Sequence, residues 1–534
     1  MANNQSKTRI FLPVIISITL IVGILLGIFI QHHNSSSNDN ILLYPKSNKI
    51  LTLLKLIEDE YVDTVSVDQL TEGSINSILK QLDPHSAYIP ASELQAVTEP
   101  LEGNFSGIGV QFNMQNDTIV IINTIPNGPS ALIGIQAGDR IIKVNDTIVA
   151  GVKMSSDVIV KKLKGPKGTK VKVTIFRPTT NRTINYDITR NTIPLYSVDA
   201  SYMLNNEIGY IKINQFARTT YDEFVKAVTK LKSEGMSKII VDLRGNGGGY
   251  LDIAIKIADQ FLDENKLIVY TMGRAKPRED YFSTAEGICQ NDSLVILIDE
   301  LSASASEIVA GAIQDNDRGL IIGRRSFGKG LVQEQIPLAD GSAVRLTVAR
   351  YYTPTGRCIQ RPYKNGADDY YQDIAKRYLR GEFISKDSIK LNDSLKYTTP
   401  RGRIVYGGGG IMPDIFVGID TSDFSNFYNE VNDLGLIYKF AFQYSDQHRS
   451  SLSRIKNIRE MRNELKRDNI YRQFTDYCKK QNIKIKPSEL IRSEKIISTQ
   501  LEAYICRNFF DNEAFYPIIG EIDNTLKKAV EVLR

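Results

Sequence analysis

Between Ile193 and about Asp420 the sequence repeats one arrangement: a short apolar run, a turn of small residues, then an amphipathic stretch. "IGYIKINQF" leads into "TYDEFVKAVTKLKSEG", "KIIVDLRGNGGG" into "YLDIAIKIADQFL", and "SLVILIDELSAS" into "ASEIVAGAIQD", while "GLIIGRR" runs into "SFGKG". Near-continuous apolar strands need cover on both faces, and strands separated by helices run parallel. The section is therefore expected to be an α/β sheet covered on both faces. Its binding site should lie at the carboxyl ends of the strands, where both glycine-rich turns fall.

The rest of the chain departs from this pattern. At 534 residues it exceeds one ordinary core, so several domains are expected. Residues 43–100 read as helices, with apolar positions three and four apart in "ILTLLKLIEDEYVD" and "VDQLTEGSINSILKQL". Residues 101–188 read as short strands with small helices, a compact partly open barrel. Residues 189–420 are the α/β section, and 421–534 are helical, suited to capping the core or to an oligomer contact. The fold class is multidomain α/β.

Composition excludes some functions. The 66 cationic and 61 anionic side chains leave a net charge of +5, which gives no ground for a nucleic-acid partner. The basic stretch from His448 is interspersed with Glu460, Glu464 and Asp468 and reads as a solvated helical face. Lys7 and Arg9 precede the uncharged run Ile10 to Ile30, long enough to span a bilayer. Residues 1–42 are accordingly expected to hold a cytoplasmic tail, a membrane anchor and a linker, with the remainder extracytoplasmic. The four cysteines, Cys289, Cys358, Cys478 and Cys506, lack metal-ligand spacing; in an exported chain they allow up to two disulfides or free thiols.

The glycine turns permit three chemistries. "GRRSFGKG" (323–330) approaches a phosphate loop, but Gly330 stands where Ser or Thr should hold magnesium, and a strand-like run follows instead of a helix. "RGNGGG" (244–249) lacks dinucleotide spacing, yet such a turn leaves N–H groups free for an anion, including one formed only in a transition state. "SASASE" offers a nucleophile that needs a base. The four histidines, His32, His33, His85 and His448, all fall outside the α/β section, so a Ser-His-Asp triad is short of its base. A buried lysine, its ammonium disfavoured by desolvation, can take that place. Lys329 lies among Phe327, Gly328, Gly330, Leu331 and Val332 with no carboxylate beside it in sequence.

Taken together, "SASASEIVAGAIQD" and "SFGKGLVQ" resemble the C-terminal processing peptidases, serine proteases of the S41 family with Ser-Lys catalysis. "LDPHSAYI", "DLRGNGGG", "ARYYTPTGRCIQ" and "GGGGIMPD" extend the resemblance over roughly residues 50–420. It implies Ser304 as nucleophile, Lys329 as general base and Gln333 as the residue orienting that lysine. The backbone N–H groups of Ala305 and Gly247 would form the oxyanion hole, and Asp315 would have a structural role. Ser302 then reads as a helix cap and Ser306 as a packed small residue. "SGIGVQF", "GPSALIGIQAGDRIIKVND" and "VKKLKGPKGTKVKVTIFR" resemble a PDZ domain, in which Gly107, Ile108, Gly109 and Val110 match the loop that captures a peptide carboxylate.

The implied partners are protein substrates held by their C-terminal tails, with a membrane at the N-terminus; no metal or organic cofactor is implied. A homo-oligomer or an adaptor protein stays open. The competing class is a non-enzymatic PDZ-bearing envelope scaffold.

Overall fold

The computed structural model describes residue 17, residues 19–26 and residues 49–534. The run Ile10–Ile30 thus lies mostly outside the described residues; its part from Thr19 to Leu26 is helical and exposed. Among the described residues no helix is long and apolar enough to cross a membrane, so the expected anchor has no counterpart there.

The chain divides into two units, Met1–Gln81 and Leu82–Arg534. The first contains α1 (Lys49–Glu60) and α2 (Val67–Lys80). The Ser66 hydroxyl accepts from the Gln69 N–H at 3.3 Å, satisfying one of the donors that a helix start leaves unpaired. The expected helical segment 43–100 is split by this division. Residues from Leu82 onward join the second unit because β1 (Ala87–Ile89) pairs antiparallel with Ala343–Arg345.

From α3 (Ala91–Glu102) the chain turns at Gly103 into β2 (Asn104–Gly107), paired with β9 (Asn191–Pro194). Between them lies the small barrel. Its strands are β3 (Val110–Gln115), β4 (Thr118–Thr124), β5 (Arg140–Val144), β6 (Thr147–Ile148), β7 (Lys170–Arg177) and β8 (Arg182–Thr189), with helices α4 (Pro129–Leu132) and α5 (Ser156–Leu163). The order is β3-β4-β5-β7-β8, with β6 on β5. Strand β7 buries Val171, Val173 and Ile175 and exposes Lys170 and Lys172, the two-residue period of a strand with one covered face. These side chains meet Ile119, Ile121, Ile141 and Ile159 in a separate core, each burial contributing about 1.5–3 kcal/mol.

The α/β section contains β10 (Val198–Met203), β11 (Ile208–Ile213), α6 (Thr220–Ser233), β12 (Lys238–Asp242), α7 (Leu251–Asp259), β13 (Leu267–Met272) and β14 (Glu279–Phe282). It continues through β15 (Ser293–Ile298), α8 (Ala305–Asp315), β16 (Leu320–Gly323), β17 (Leu331–Pro337), β18 (Ala343–Tyr352) and α9 (Ala367–Leu379). A small hairpin of β19 (Lys396–Thr398) and β20 (Ile404–Tyr406) precedes β21 (Ile415–Phe416). The main sheet runs β10-β11-β12-β15-β16-β21, parallel except for β10. A second sheet, β1-β18-β13-β14 with β17 on β18, stands beside it.

Both faces of the main sheet are covered, by different means. Ile239, Val241, Ile296 and Ile298 pack with Phe224, Val228, Ile257 and Val309 of the three crossover helices. From β11 to β16 the strands add in one direction, so right-handed crossovers all fall on one side. The alternate residues Ile240, Val295, Leu297 and Ile322 pack on Leu526, Ala529 and Leu533 of the last helix. The C-terminal section therefore caps the sheet.

That section comprises α10 (Asn426–Asp433), α11 (Leu436–Gln447), α12 (Arg449–Leu452), α13 (Ile458–Arg467), α14 (Ile470–Lys480), α15 (Pro487–Gly520) and α16 (Asn524–Leu533), with its own core around Phe440, Phe474 and Ile497. Helix α15 is broken at Asp511 (φ 53°, ψ −153°). There Asp511 Oδ1 accepts from Asn123 of the barrel at 3.1 Å. The next residue, Asn512, donates to Asp199 of β10 at 2.5 Å. Arg244 and Asp523 form a two-pronged ion pair at 2.6 and 3.1 Å, which ties the last helix to the glycine loop after β12. All four cysteines are free, and three of them are buried.

Candidate active site

Strands β12, β15 and β16 are adjacent, with Asp242 opposite Leu297 and Ile298 opposite Gly323. Their carboxyl ends deliver the "RGNGGG" loop, the serine run and the lysine turn to one place. Ser304 stands immediately before α8 with φ 55° and ψ −113°, a conformation costing a non-glycine residue about 1–3 kcal/mol. Its carbonyl accepts from the Tyr351 hydroxyl at 3.2 Å. Gly248 (φ 104°) lies against it, so close that a Cβ there would come 2.8 Å from Ser304 Cβ.

The other serines differ from expectation in one respect. Ser302 is not the helix cap: it lies three residues before α8, fully buried, its hydroxyl donating to Leu243 O at 2.9 Å. The residue at the helix boundary is Ser304 itself. Ser306 is packed as expected and donates to Asn246 O at 2.8 Å.

The lysine turn does have a carboxylate beside it, brought from elsewhere in the chain. Glu307, fully buried in the first turn of α8, accepts from Ser304 N at 2.9 Å and Lys329 N at 2.9 Å through Oε2. Through Oε1 it accepts from Gly328 N at 2.7 Å and the Ser326 hydroxyl at 2.5 Å. One carboxylate thus fixes the main chain of the serine and of the lysine turn. Burial pushes its carboxyl up to about 7, against the pull of those four donors.

Lys329 Nζ donates to Gln333 Oε1 at 3.0 Å, and Gln333 Nε2 donates to the His85 carbonyl at 2.6 Å. The amide is therefore held at both ends with its oxygen toward the amine. Burial lowers the Lys329 pKa from its ordinary value, Arg345 adds to the effect, and Glu307 and Asp83 oppose it. His85 bonds the Tyr370 hydroxyl at 2.9 Å; burial, aided by Lys329, brings its pKa down to about 4.

Ser304, Ala305, Gly247, Lys329 and Gln333 all line one cavity of about 620 Å³. No hydrogen bond joins the Ser304 hydroxyl to the Lys329 amine, which is engaged by Gln333. The N–H groups of Ala305 and Gly247 donate to no acceptor among the described residues. Asp315 lies outside the cavity, in a fully buried ion pair with Arg357 at 2.7 Å and accepting from Thr355. The loop Gly107 to Val110 is also outside it, between β2 and β3, with Gly109 at φ 73°. Its Ile108 and Gly109 N–H groups likewise meet no described acceptor. No group of His, Cys, Asp and Glu among the described residues is placed to hold a metal ion.

Residues 207–368 match the model of peptidase family S41, residues 106–188 that of the PDZ domain, and residues 29–92 that of the activating protease CtpB N-terminal domain. A carboxy-terminal-processing protease of Bartonella bacilliformis is 34% identical over 350 residues, 64% of this chain and 80% of that one. The chain belongs to the carboxy-terminal processing peptidases of family S41. The carboxy-terminal processing protease CtpB of Bacillus subtilis is 33% identical over 65% of this peptidase and 71% of its own length. Among solved structures, a photosystem II D1 C-terminal processing protease aligns over 69% of this chain and 92% of its own, at 25% identity and a TM-score of 0.35. Residues 427–511 match a family of unknown function.

The peptidase has functional neighbours that the sequence reading passed over. Glu307 is the last residue of "SASE", three after Ser304, which is the spacing of a capping box; attention to that signature would have found it. The His85 carbonyl and the Tyr351 hydroxyl, which donates to Lys329 O at 2.7 Å, carry no local signal. Their partners are far away in the chain.

Proposed function

We propose that this serine peptidase cuts proteins near their C-termini by Ser-Lys catalysis, with the PDZ domain taking the substrate tail. The observation that carries the reading is the convergence of Ser304, Lys329 and two unengaged N–H groups on one cavity. Lys329, whose ammonium form burial disfavours, acts in its neutral form to remove the Ser304 proton as the hydroxyl attacks the peptide carbonyl. The oxyanion is received by the N–H groups of Ala305 and Gly247 at the start of a helix, where the dipole favours negative charge. The protonated lysine then gives its proton to the leaving amine, and water cleaves the acyl-enzyme. In the described arrangement the amine donates to Gln333, so the reactive state requires it to turn to Ser304 while Gln333 steadies it.

The tail site follows the same logic. The Gly107–Val110 loop offers free N–H groups to a terminal carboxylate, and the exposed edge of β3 accepts the tail as an added strand. Helix α3 leads directly into β2, and its last turns line the cleft through Thr98 and Leu101, so the segment that enters the PDZ domain also borders the cavity of Ser304. The apolar run 10–30 supports a membrane tether with the peptidase on the extracytoplasmic side.

The test is incubation of the protein with tail-bearing substrates and mass spectrometry of the new ends. Ser304→Ala and Lys329→Ala are each expected to retain the fold and lose cleavage. Turnover like that of the natural chain in either variant would falsify the assigned roles. Retention of the full chain in the soluble fraction of cells would remove the tether.

A further inference from the structure

The catalytic cavity holds a cation that the reaction above does not consume. Arg345, on β18, lines the cavity with Ser304 and Lys329. Its neighbours across the strands are Gln335 on β17 and Ala87 on β1, so neither strand gives it a carboxylate. Its Nη2 donates to Gln335 Oε1 at 3.2 Å, and no carboxylate among the described residues lies in ion-pair distance of it. Among the other charges of the lining, Lys276 pairs with Glu334 at 2.8 Å and Asp252 with Arg218 at 2.9 Å. Glu279, on β14, also lines the cavity and forms no ion pair among the described residues.

A guanidinium has five N–H donors in a planar fork that matches a carboxylate, and one neutral amide uses little of that capacity. A cation left unpaired beside a reacting centre is a receptor for an anion that arrives with the substrate. We propose that Arg345 binds a carboxylate of the substrate chain close to the bond that is cut. The proposal rests on the peptidase reading above. The carboxylate is an acidic side chain or, in a short substrate, the terminal carboxylate of the chain.

The same placement links binding to the base. Three charged groups act on the Lys329 amine: Arg345 from β18, Glu307 from α8 and Asp83 from the turn before β1; His85, in the same turn, is itself shifted by the lysine. Arg345 works with burial to lower the Lys329 pKa. A bound carboxylate offsets the guanidinium charge, so the acid limb of the rate profile should move to higher pH for an acidic substrate than for its amide counterpart.

Peptide pairs differing only by Glu against Gln, moved residue by residue across the cleavage site, test this. A second set compares free and amidated C-termini. In the natural protein one position, or the free terminus, should give about tenfold higher kcat/KM for the acid, mainly through KM. Arg345→Gln should bring that ratio to about one, and Arg345→Lys should restore part of it together with the shifted acid limb. A ratio unchanged in Arg345→Gln, or no preference at any position and either terminus, overturns the proposal. The same pairs are measured for binding to the Ser304→Ala protein. If the natural chain cuts nothing but Ser304→Ala still prefers the acid peptide through Arg345, the peptidase mechanism fails and the carboxylate site stands.

Discussion

Two buried charges in this molecule are treated in opposite ways. Glu307, between the serine and the lysine turn, has both oxygens filled by four donors. Arg449, at the start of α12 where the C-terminal section meets the PDZ barrel, has Nε and Nη2 buried without a partner. It lies against Gly138, where a Cβ would come 3.2 Å from its Cδ, and burial lowers its pKa. Beside it, Arg140 of the barrel pairs with Asp446 at 2.6 Å, partly exposed. A buried charge with every bond made fixes its surroundings, whereas one left short of partners carries an uncompensated desolvation cost. Glu307 therefore pins the serine to the lysine turn, while Arg449 leaves an unmet cost where the PDZ domain is seated.

The comparison makes measurable demands. The largest effect should come from Glu307→Ala, which strands four donors in the interior; a loss of about 3–5 kcal/mol in denaturant unfolding is expected, with cleavage abolished. Arg449→Met should act in the opposite direction, leaving stability unchanged or raising it by about 1 kcal/mol. A large loss there would mean that the guanidinium is satisfied after all. Smaller still is the coupling of Arg140 to Asp446, expected at about 0.5–1 kcal/mol in a double-mutant cycle because both ends reach solvent.

Acidity separates two neighbours of the lysine. His85 titrates at about 4 in the folded chain against an ordinary 6.5. The stability it contributes is present above 6.5 and lost as pH falls through about 4. Glu307, raised from 4.5 to about 7, contributes stability present below 4.5 and lost as pH rises through about 7. Between these limits the two oppose each other. Removing the histidine in His85→Asn should therefore make the variant gain on the natural chain as pH falls from 6.5 to 4, read from denaturant midpoints. A constant difference would show that His85 does not feel its burial.

Much of this was legible beforehand, for a physical reason. Strand runs such as "SLVILI" and the turns that end them are local properties; Ser304 and Lys329 sit in turns, and Gln333 in the strand just after, at a spacing that carries the family signature. The structure then places all three on one cavity. The spacing of "SASE" marks Glu307 as a capping residue, but that it also meets the lysine turn is not local information, since it reaches the turn from 22 residues upstream. That the last helix covers the second face of the sheet was left open, since periodicity marks an apolar stripe without naming what it meets. Arg345 looked like any strand cation, because an unpaired charge is visible only once its neighbours are known.

The break in α15 has a mechanical meaning. Asp511 holds the PDZ barrel and Asn512 holds the protease sheet, so two bodies are moored to consecutive residues on either side of one peptide bond. A rotation of the barrel against the sheet would load that twisted link together with the Arg140–Asp446 pair.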